Sequence, residues 1–420
     1  MTAGGNLHTP GDGIFGTHVT WEDLGKNKIE ALKSSATFGP NKKITNIGDG
    51  NGFASRICLV EPDWQNIDAE ENLPSKFVAK LCTTLAILAL TKRISEEKGV
   101  DNFMNLGSVE FFDEKIKLCH NMECHIYHLL NKYNVDNVPK VKIYSTRKFS
   151  AENPLKGLLT MEYIEDLSFV HIFSTLKPEE LHQALRALAA FAALTFKITD
   201  VEKEMFCSNP LSDLFSIMFN EDSINSIKQF LGKYDGEKYE KEIKKLMEII
   251  PELIDTQWFD AIPDQLDMKR VLCHGDLWST NMLWKKKDRS QSVAAIIDFQ
   301  TGHLGNPAGD LSRFLASNLS GEDRLKYTND LLHVYYDFLL EEMGDKPAPF
   351  TFEQLKEAYQ RYLPVSGFMI IPMFGSGADL FLEKIPEKER ARAREVLDEK
   401  LGSLARDVID LHKRNMTLRK

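Results

Sequence analysis

The sequence predicts an α+β chain in two parts: a small, strand-rich part built round one helix, then a large, mainly helical part. Two observations carry this. Residues 44–164 hold five short strand patterns and one helical stretch, whereas beyond residue 178 helical periodicity dominates and only two short apolar runs interrupt it. A third observation fixes the organisation: no internal repeat or low-complexity segment breaks the chain. We divide it into a 1–43 extension with a short helix, a 44–164 small lobe and a 165–420 helical lobe.

The elements follow in order. Residues 21–34 read as a helix, with Thr20 as cap and Glu22 and Asp23 in its first turn. Residues 44–47 lead through Gly48-Asp-Gly-Asn-Gly52 into a strand over 53–61 that ends before Pro62, a hairpin pattern. Residues 76–80 make a further strand. Phe112, Ile116, Cys119, Glu123 and Tyr127 recur at helical spacing within 108–132. Strands are expected at 139–146 and 158–164. Pro178-Glu-Glu opens a helix over 178–197, and helices follow at 239–258, 324–342, 352–363 and 387–413. The interrupting strands are 269–273 and 293–299.

Composition narrows the function. The chain has 420 residues, 43% hydrophobic and 27% charged, enough for sizeable cores. A net charge of −10 speaks against nucleic acid as a main partner. The six cysteines form no C-x-x-C pair, and Cys119 and Cys124 read as reduced thiols on a helix rather than metal ligands. Residues 1–13 lack a basic stretch followed by an apolar one, and the apolar run Leu81–Leu90 is too short to span a bilayer. A reducing, cytoplasmic setting with no membrane span is expected. Oligomeric state is not legible.

The residues that carry chemistry centre on His274-Gly-Asp-Leu-Trp-Ser-Thr-Asn281, which follows one apolar strand, and Asp298, which ends another. Phosphoryl transfer needs a carboxylate beside the acceptor hydroxyl, and an amide oxygen plus a second carboxylate to hold magnesium on the phosphates. Asp276 and Asn281, five apart on one loop, can face a common cleft, and Asp298 can approach it from the adjacent strand. His274 is expected to bond backbone around the loop. Upstream, Gly48, Gly50, Gly52 and Ser55 suit phosphate oxygens approached by backbone N–H groups. The same stretch also reads as a plain hairpin turn, and its place before Lys80 favours the phosphate reading. Lys80, in Val78-Ala-Lys80, suits the α- and β-phosphates, with Glu123 as its partner and Glu114 and Glu110 as rivals. Leu159-Thr-Met-Glu-Tyr-Ile164 resembles a hinge between lobes, in which backbone groups near Glu162 to Ile164 would bond adenine with Met161 behind them; it also reads as an interior strand ending in a loop.

These motifs resemble the aminoglycoside-phosphotransferase and choline-kinase type of kinase, which has H-G-D-x-x-x-x-N followed by a metal-binding Asp. The invertebrate CHK kinase-like group, which includes ecdysteroid kinases, is similar at Thr17–Asp23, at Phe38–Lys43 and at Asp298–Asp310. The resemblance runs from about residue 14 to beyond 400. It implies a two-lobed, protein-kinase-like fold, with an antiparallel small-lobe sheet, and an ATP- and Mg2+-dependent kinase of a small-molecule alcohol, steroid-like, choline-like or other. It implies Asp276 as base, Asn281 and Asp298 as metal ligands, and Asp310 as a brace for the loop. Asp298-Phe-Gln300 departs from the Asp-Phe-Gly of protein kinases, and no A-P-E triplet follows, so a protein kinase is disfavoured. A catalytically silent, ligand- or protein-binding relative is the alternative. It is expected to lose Asp276, Asn281, Asp298 or Lys80, and all four are present. Tyr359, Tyr362, Phe368, Phe374 and Phe381 read as helix core or as an acceptor pocket.

Overall fold

A computed structural model describes residues 6–32, 34–48, 55–67, 72–99, 109–209, 211–213, 221–234, 237–287 and 290–419. The chain divides into a unit of Met1–Glu97, Leu106–His128 and Lys140–Asp166, and a second of Lys98–Asn105, Leu129–Pro139 and Leu167–Lys420.

In the first unit, helix α1 (Trp21–Leu32) precedes strands β1 (Lys43–Asn46), β2 (Ser55–Glu61) and β3 (Phe77–Cys82). Helices α2 (Leu85–Lys98) and α3 (Val109–Lys132) follow, their last residues counted with the second unit, then β4 (Ile143–Arg147) and β5 (Leu158–Glu162). The five strands form one antiparallel sheet in the order β1-β2-β3-β5-β4. Period-two alternation sorts its faces. Cys58, Val60, Phe77, Ala79, Leu81 and Leu158 pack with Val19 and Leu24 in one core cluster. Asp23 in α1 accepts from Arg147 and Lys156 at 2.8 and 2.7 Å. Burial opposes its ionisation, but hydrogen bonds from Lys156, Thr20 and Arg147 hold its carboxyl well below the usual carboxylate range. The opposite face carries Lys80, directly across from Ile57 on β2 and Leu159 on β5.

Helix α2 was not legible as a helix. The apolar run Leu81–Leu90 is split: β3 ends at Cys82, and the Thr83 hydroxyl accepts the Leu85 N–H at 3.3 Å, opening α2. Among the described residues no helix is long and apolar enough to cross a membrane.

The second unit opens with α4 (His182–Leu194), whose residues from Leu188 to Leu194 are all buried, and α5 (Glu240–Leu253). Three-residue strand β6 (Val271–Cys273) precedes the His-Gly-Asp loop. Strands β7 (Met282–Lys287) and β8 (Ser290–Ile296) form an antiparallel hairpin beyond it, and β9 (His303–Gly305) pairs back onto β6. Helices α6 (Pro307–Asn318), α7 (Gly321–Met343), α8 (Phe352–Phe374) and α9 (Glu387–Leu418) complete the unit. The expected 239–258 helix breaks after Leu253, where Asp255 accepts the Trp258 N–H and starts a new turn. Helix α8 outruns the expected 352–363 because it continues through Pro364 and Pro372, which ordinarily end helices. Burial against α9 outweighs the lost backbone bonds: a Cβ at Gly367 would lie 2.7 Å from Val408 Cγ2, so the two helices meet backbone to side chain. Tyr359, Tyr362, Phe368 and Phe374 are all buried.

Among the described residues one charged group is fully enclosed. Lys400 on α9 has no exposed surface, and its Nζ donates to the carbonyls of Ile172, Ser174 and Ser317 at 3.0, 2.6 and 2.8 Å. Burial pulls its pKa down to about 7. Three acceptors round one nitrogen still favour the ammonium form, because a neutral amine would turn its lone pair on a carbonyl oxygen. Lys400→Met is expected to cost about 2–5 kcal/mol, through three carbonyls left without partners. Urea unfolding at pH 7 measures it; a midpoint equal to wild type would show that those carbonyls find other donors.

Candidate active site

The His-Gly-Asp loop is fixed from both sides by its own chemistry. Asp310, in the first turn of α6, accepts the His274 N–H through Oδ2 at 2.6 Å and the Gly275 N–H through Oδ1 at 2.8 Å. A carboxylate at a helix N-terminus is favoured there by the helix dipole. The His274 ring donates from Nε2 to the Ile297 carbonyl at 3.0 Å, and its Nδ1 accepts the Asp276 N–H at 3.3 Å. Those two bonds specify a neutral imidazole protonated at Nε2. Its ring lies 4.9 Å from that of Phe299, which also packs on Phe191. Thr301 donates to the His274 carbonyl at 3.1 Å. His274 is therefore a brace, as its sequence context suggested.

Gly275 has φ +85° and stands against the Thr301 carbonyl, where a Cβ has no room. Gly275→Ala is expected to cost about 2 kcal/mol or more from left-handed strain and steric conflict. Its unfolding midpoint should fall, and an unchanged one would mean the loop tolerates a wider path.

Asp276 then projects from the loop with 27% of its side chain exposed. Asn281 Nδ2 donates to its carbonyl at 2.8 Å and to its Oδ2 at 3.2 Å. Arg313 Nη2 meets its Oδ1 at 2.6 Å. Desolvation pushes the Asp276 carboxyl up and the like charge of Asp298 adds to this, against the Arg313 guanidinium, with a net raised value. Asp298 stands at φ 67°, ψ 51°, a left-handed position just past the end of β8. The strain falls on Asp298, and Gln300 sits in the following 3-10 turn (Phe299–Thr301), so no glycine is required at 300.

Arg313 was not singled out from the sequence. It lies three residues after Asp310, one helical turn along α6, and the only available signal was that spacing. On the loop itself the Trp278 indole N–H and the buried Ser279 hydroxyl have no hydrogen-bond partner among the described residues. The Arg313 guanidinium lies 5.8 Å from the Trp278 ring.

In the first unit Lys80 Nζ meets Glu123 Oε2 at 2.7 Å, both side chains nearly fully buried. The rivals are committed elsewhere or exposed: Glu114 binds Lys117, and Glu110 faces solvent. Ser55 is buried at the head of β2, opposite Cys82 and on the Lys80 face. Gly48 lies against Ile57, where a Cβ would come within 2.8 Å of the Ile57 Cβ. Gly50 and Gly52 lie outside the described residues. Met161 is buried in β5. Glu162 ends β5 with its N–H bonded to the Lys142 carbonyl at 2.8 Å, so that N–H is not open to a base; Ile164 follows outside the strand.

Donor chemistry bears on the expected metal ligands. Because the Asn281 amide nitrogen is engaged with Asp276, its oxygen is the atom left for a cation. With the Asp298 carboxylate it would make a hard, all-oxygen pair of the kind that suits Mg2+, which is held by one or two protein groups plus phosphates. Among the described residues no cluster of three or more His, Cys, Asp and Glu could hold a metal, so such an ion would depend on nucleotide for its remaining ligands.

A five-stranded antiparallel sheet bearing a Lys–Glu pair, and a helical unit bearing an H-G-D-x-x-x-x-N loop, define a two-lobed protein-kinase-like fold. The chain belongs to the family described as "Uncharacterized oxidoreductase dhs-27", whose model matches residues 7–416. It is 28% identical over 221 residues to the "Uncharacterized kinase-like protein D1044.1" of Caenorhabditis elegans, covering 51% of this chain and 56% of that one. It is 24% identical over 352 residues to the "Uncharacterized oxidoreductase dhs-27" of the same organism, covering 76% of this chain and 38% of that one. The chain thus spans little more than half of the first relative and well under half of the second. Among solved structures, choline kinase from Cryptosporidium parvum Iowa II matches with a TM-score of 0.49 at 11% identity, over 89% of this chain and 91% of that one.

Proposed function

We propose that the chain is an ATP- and magnesium-dependent phosphotransferase acting on the hydroxyl of a small molecule, of the CHK kinase-like type. The observation that carries it is the Asp276 carboxylate held between Asn281 and Arg313, within range of the Asp298 charge. Asp276 would accept the proton of the acceptor hydroxyl as that oxygen bonds the γ-phosphorus and the bond from phosphorus to the departing ADP breaks. Asn281 and Asp298 would hold Mg2+, which neutralises charge on the phosphates when bound. Lys80, aimed by Glu123, would bind the α- and β-phosphates, and Ser55 and Gly48 would belong to the same nucleotide-holding set with Gly50, Gly52, Ile164 and Glu162, the last by a backbone group other than its N–H. A relative named kinase-like supports the reading. The name oxidoreductase is shared by the family description and by a relative most of whose length lies outside the match.

The test is direct: purified chain with Mg·ATP and a panel of lipophilic alcohols, amino alcohols and hydroxy acids, product read by mass. A phosphorylated product that Asp276→Asn does not make supports transfer. No product together with no Mg·ATP binding would favour the silent binding protein.

A further inference from the structure

Helix α6 holds the His-Gly-Asp loop twice. Asp310 takes the His274 and Gly275 N–H groups, which places the loop backbone. Three residues along, Arg313 meets the side chain of Asp276, its Nη2 lying 2.6 Å from Oδ1. Residues at i and i+3 share one face of a helix, so the loop backbone and the carboxylate are both set from one surface. That surface is itself fixed. Asn306 caps α6 by accepting the Ala308 N–H at 3.0 Å, and the Ser312 hydroxyl donates to the Ser366 hydroxyl on α8 at 2.8 Å. Arg313 has little freedom of its own. Its side chain is 16% exposed, and its guanidinium lies 5.8 Å from the ring of Trp278 on the same loop.

The two oxygens of Asp276 are held unequally. Oδ1 is in the short ion pair with Arg313, whereas Oδ2 accepts from the Asn281 amide at 3.2 Å, the long end of the hydrogen-bond range. The tighter bond of that amide, at 2.8 Å, goes to the Asp276 carbonyl. Asn281 thus secures the backbone, and Arg313 secures the carboxylate.

We propose that Arg313 is a positioning residue for phosphoryl transfer: by holding Oδ1 it fixes the rotation of the Asp276 carboxylate and presents Oδ2 as the atom that takes the acceptor's proton. This rests on the phosphotransferase reading. As Oδ2 takes the proton, the electron pair of the acceptor O–H bond forms the new bond to the γ-phosphorus. The pair of the broken phosphorus–oxygen bond leaves with ADP, and Arg313 neither gains nor loses a proton. The last torsion of an aspartate is broad when nothing pins it, so loss of Arg313 should slow transfer and leave nucleotide binding alone.

The test uses the full chain with Mg·ATP and water as the acceptor, and follows release of inorganic phosphate. Wild type is expected to hydrolyse ATP slowly, and Asp276→Asn to lose that hydrolysis. No hydrolysis by wild type, or hydrolysis that Asp276→Asn keeps, would remove Asp276 as base and the role of Arg313 with it. Once the base is established, Arg313→Gln is expected to lower kcat at least about tenfold, with KM for ATP unchanged within about twofold. A purely structural side chain would lower the unfolding midpoint without that split. Arg313→Lys should recover part of the rate, because it restores the charge without the planar fork. Adding Arg313→Gln to Asp276→Asn should lower the residual rate no further, since residues acting as a unit do not add. Should Arg313→Gln fail to fold, Arg313→Lys takes its place and is expected to fall about threefold or more below wild type in kcat; a rate equal to wild type would then overturn the proposal. A kcat for Arg313→Gln within about twofold of wild type, or a loss carried by KM, would overturn it while leaving Asp276 as base. So would a further fall in the double variant, which would place the action of Arg313 elsewhere than on Asp276.

Discussion

Asp276→Asn is expected to abolish phosphoryl transfer while leaving the fold and nucleotide binding in place. Loss of a general base typically lowers rate by on the order of 100- to 10,000-fold. The substitution is nearly isosteric, and the backbone carbonyl that Asn281 also bonds is untouched. It removes the charge facing Arg313, whose guanidinium lies mostly inside the protein, so a modest fall in stability should accompany the loss. Turnover near wild type would remove Asp276 from the base role. The measurement is kcat at saturating ATP, alongside the unfolding midpoint, so that misfolding and loss of chemistry are separated.

The second large effect concerns Lys80 and Glu123. An exposed pair would contribute at most about 1 kcal/mol, but these side chains are only 7% and 2% exposed. Taking one member from a buried pair leaves the other's charge uncompensated, which typically costs about 3–5 kcal/mol. Glu123→Ala should therefore destabilise strongly, because it leaves an ammonium in a buried site. On kcat/KM for ATP, Lys80→Ala should be the more severe single change. The double variant should be little worse than Lys80→Ala, since residues acting as a unit couple strongly. Strict additivity in a double-mutant cycle would mean that Glu123 does not aim Lys80.

Much of this was legible because the chemistry-bearing residues are local. His274, Asp276 and Asn281 share one loop, and their spacing alone brings an amide against a carboxylate. The strands β2, β3 and β5 were legible as short apolar runs, β2 by the turn residues that bound it, and Glu123 by resemblance to the family pattern of a Glu followed four residues on by an aromatic, here Tyr127. What the sequence hid depends on tertiary packing. Arg313 looked like one more cation on a helix until Asp310 fixed the register that turns it onto Asp276. Helix α2 hid inside an apolar run whose two threonines mark a strand-to-helix switch. Helix α8 hid behind prolines that burial overrides.

The most direct test is calorimetric titration of ATP into wild type and Asp298→Ala, each with and without magnesium. Wild type is expected to bind ATP at least about tenfold more tightly with magnesium than without, and Asp298→Ala to lose that gain while still folding. Magnesium-independent ATP affinity in the wild type, or a gain that survives in Asp298→Ala, would contradict a phosphotransferase site built on Asp276, Asn281 and Asp298.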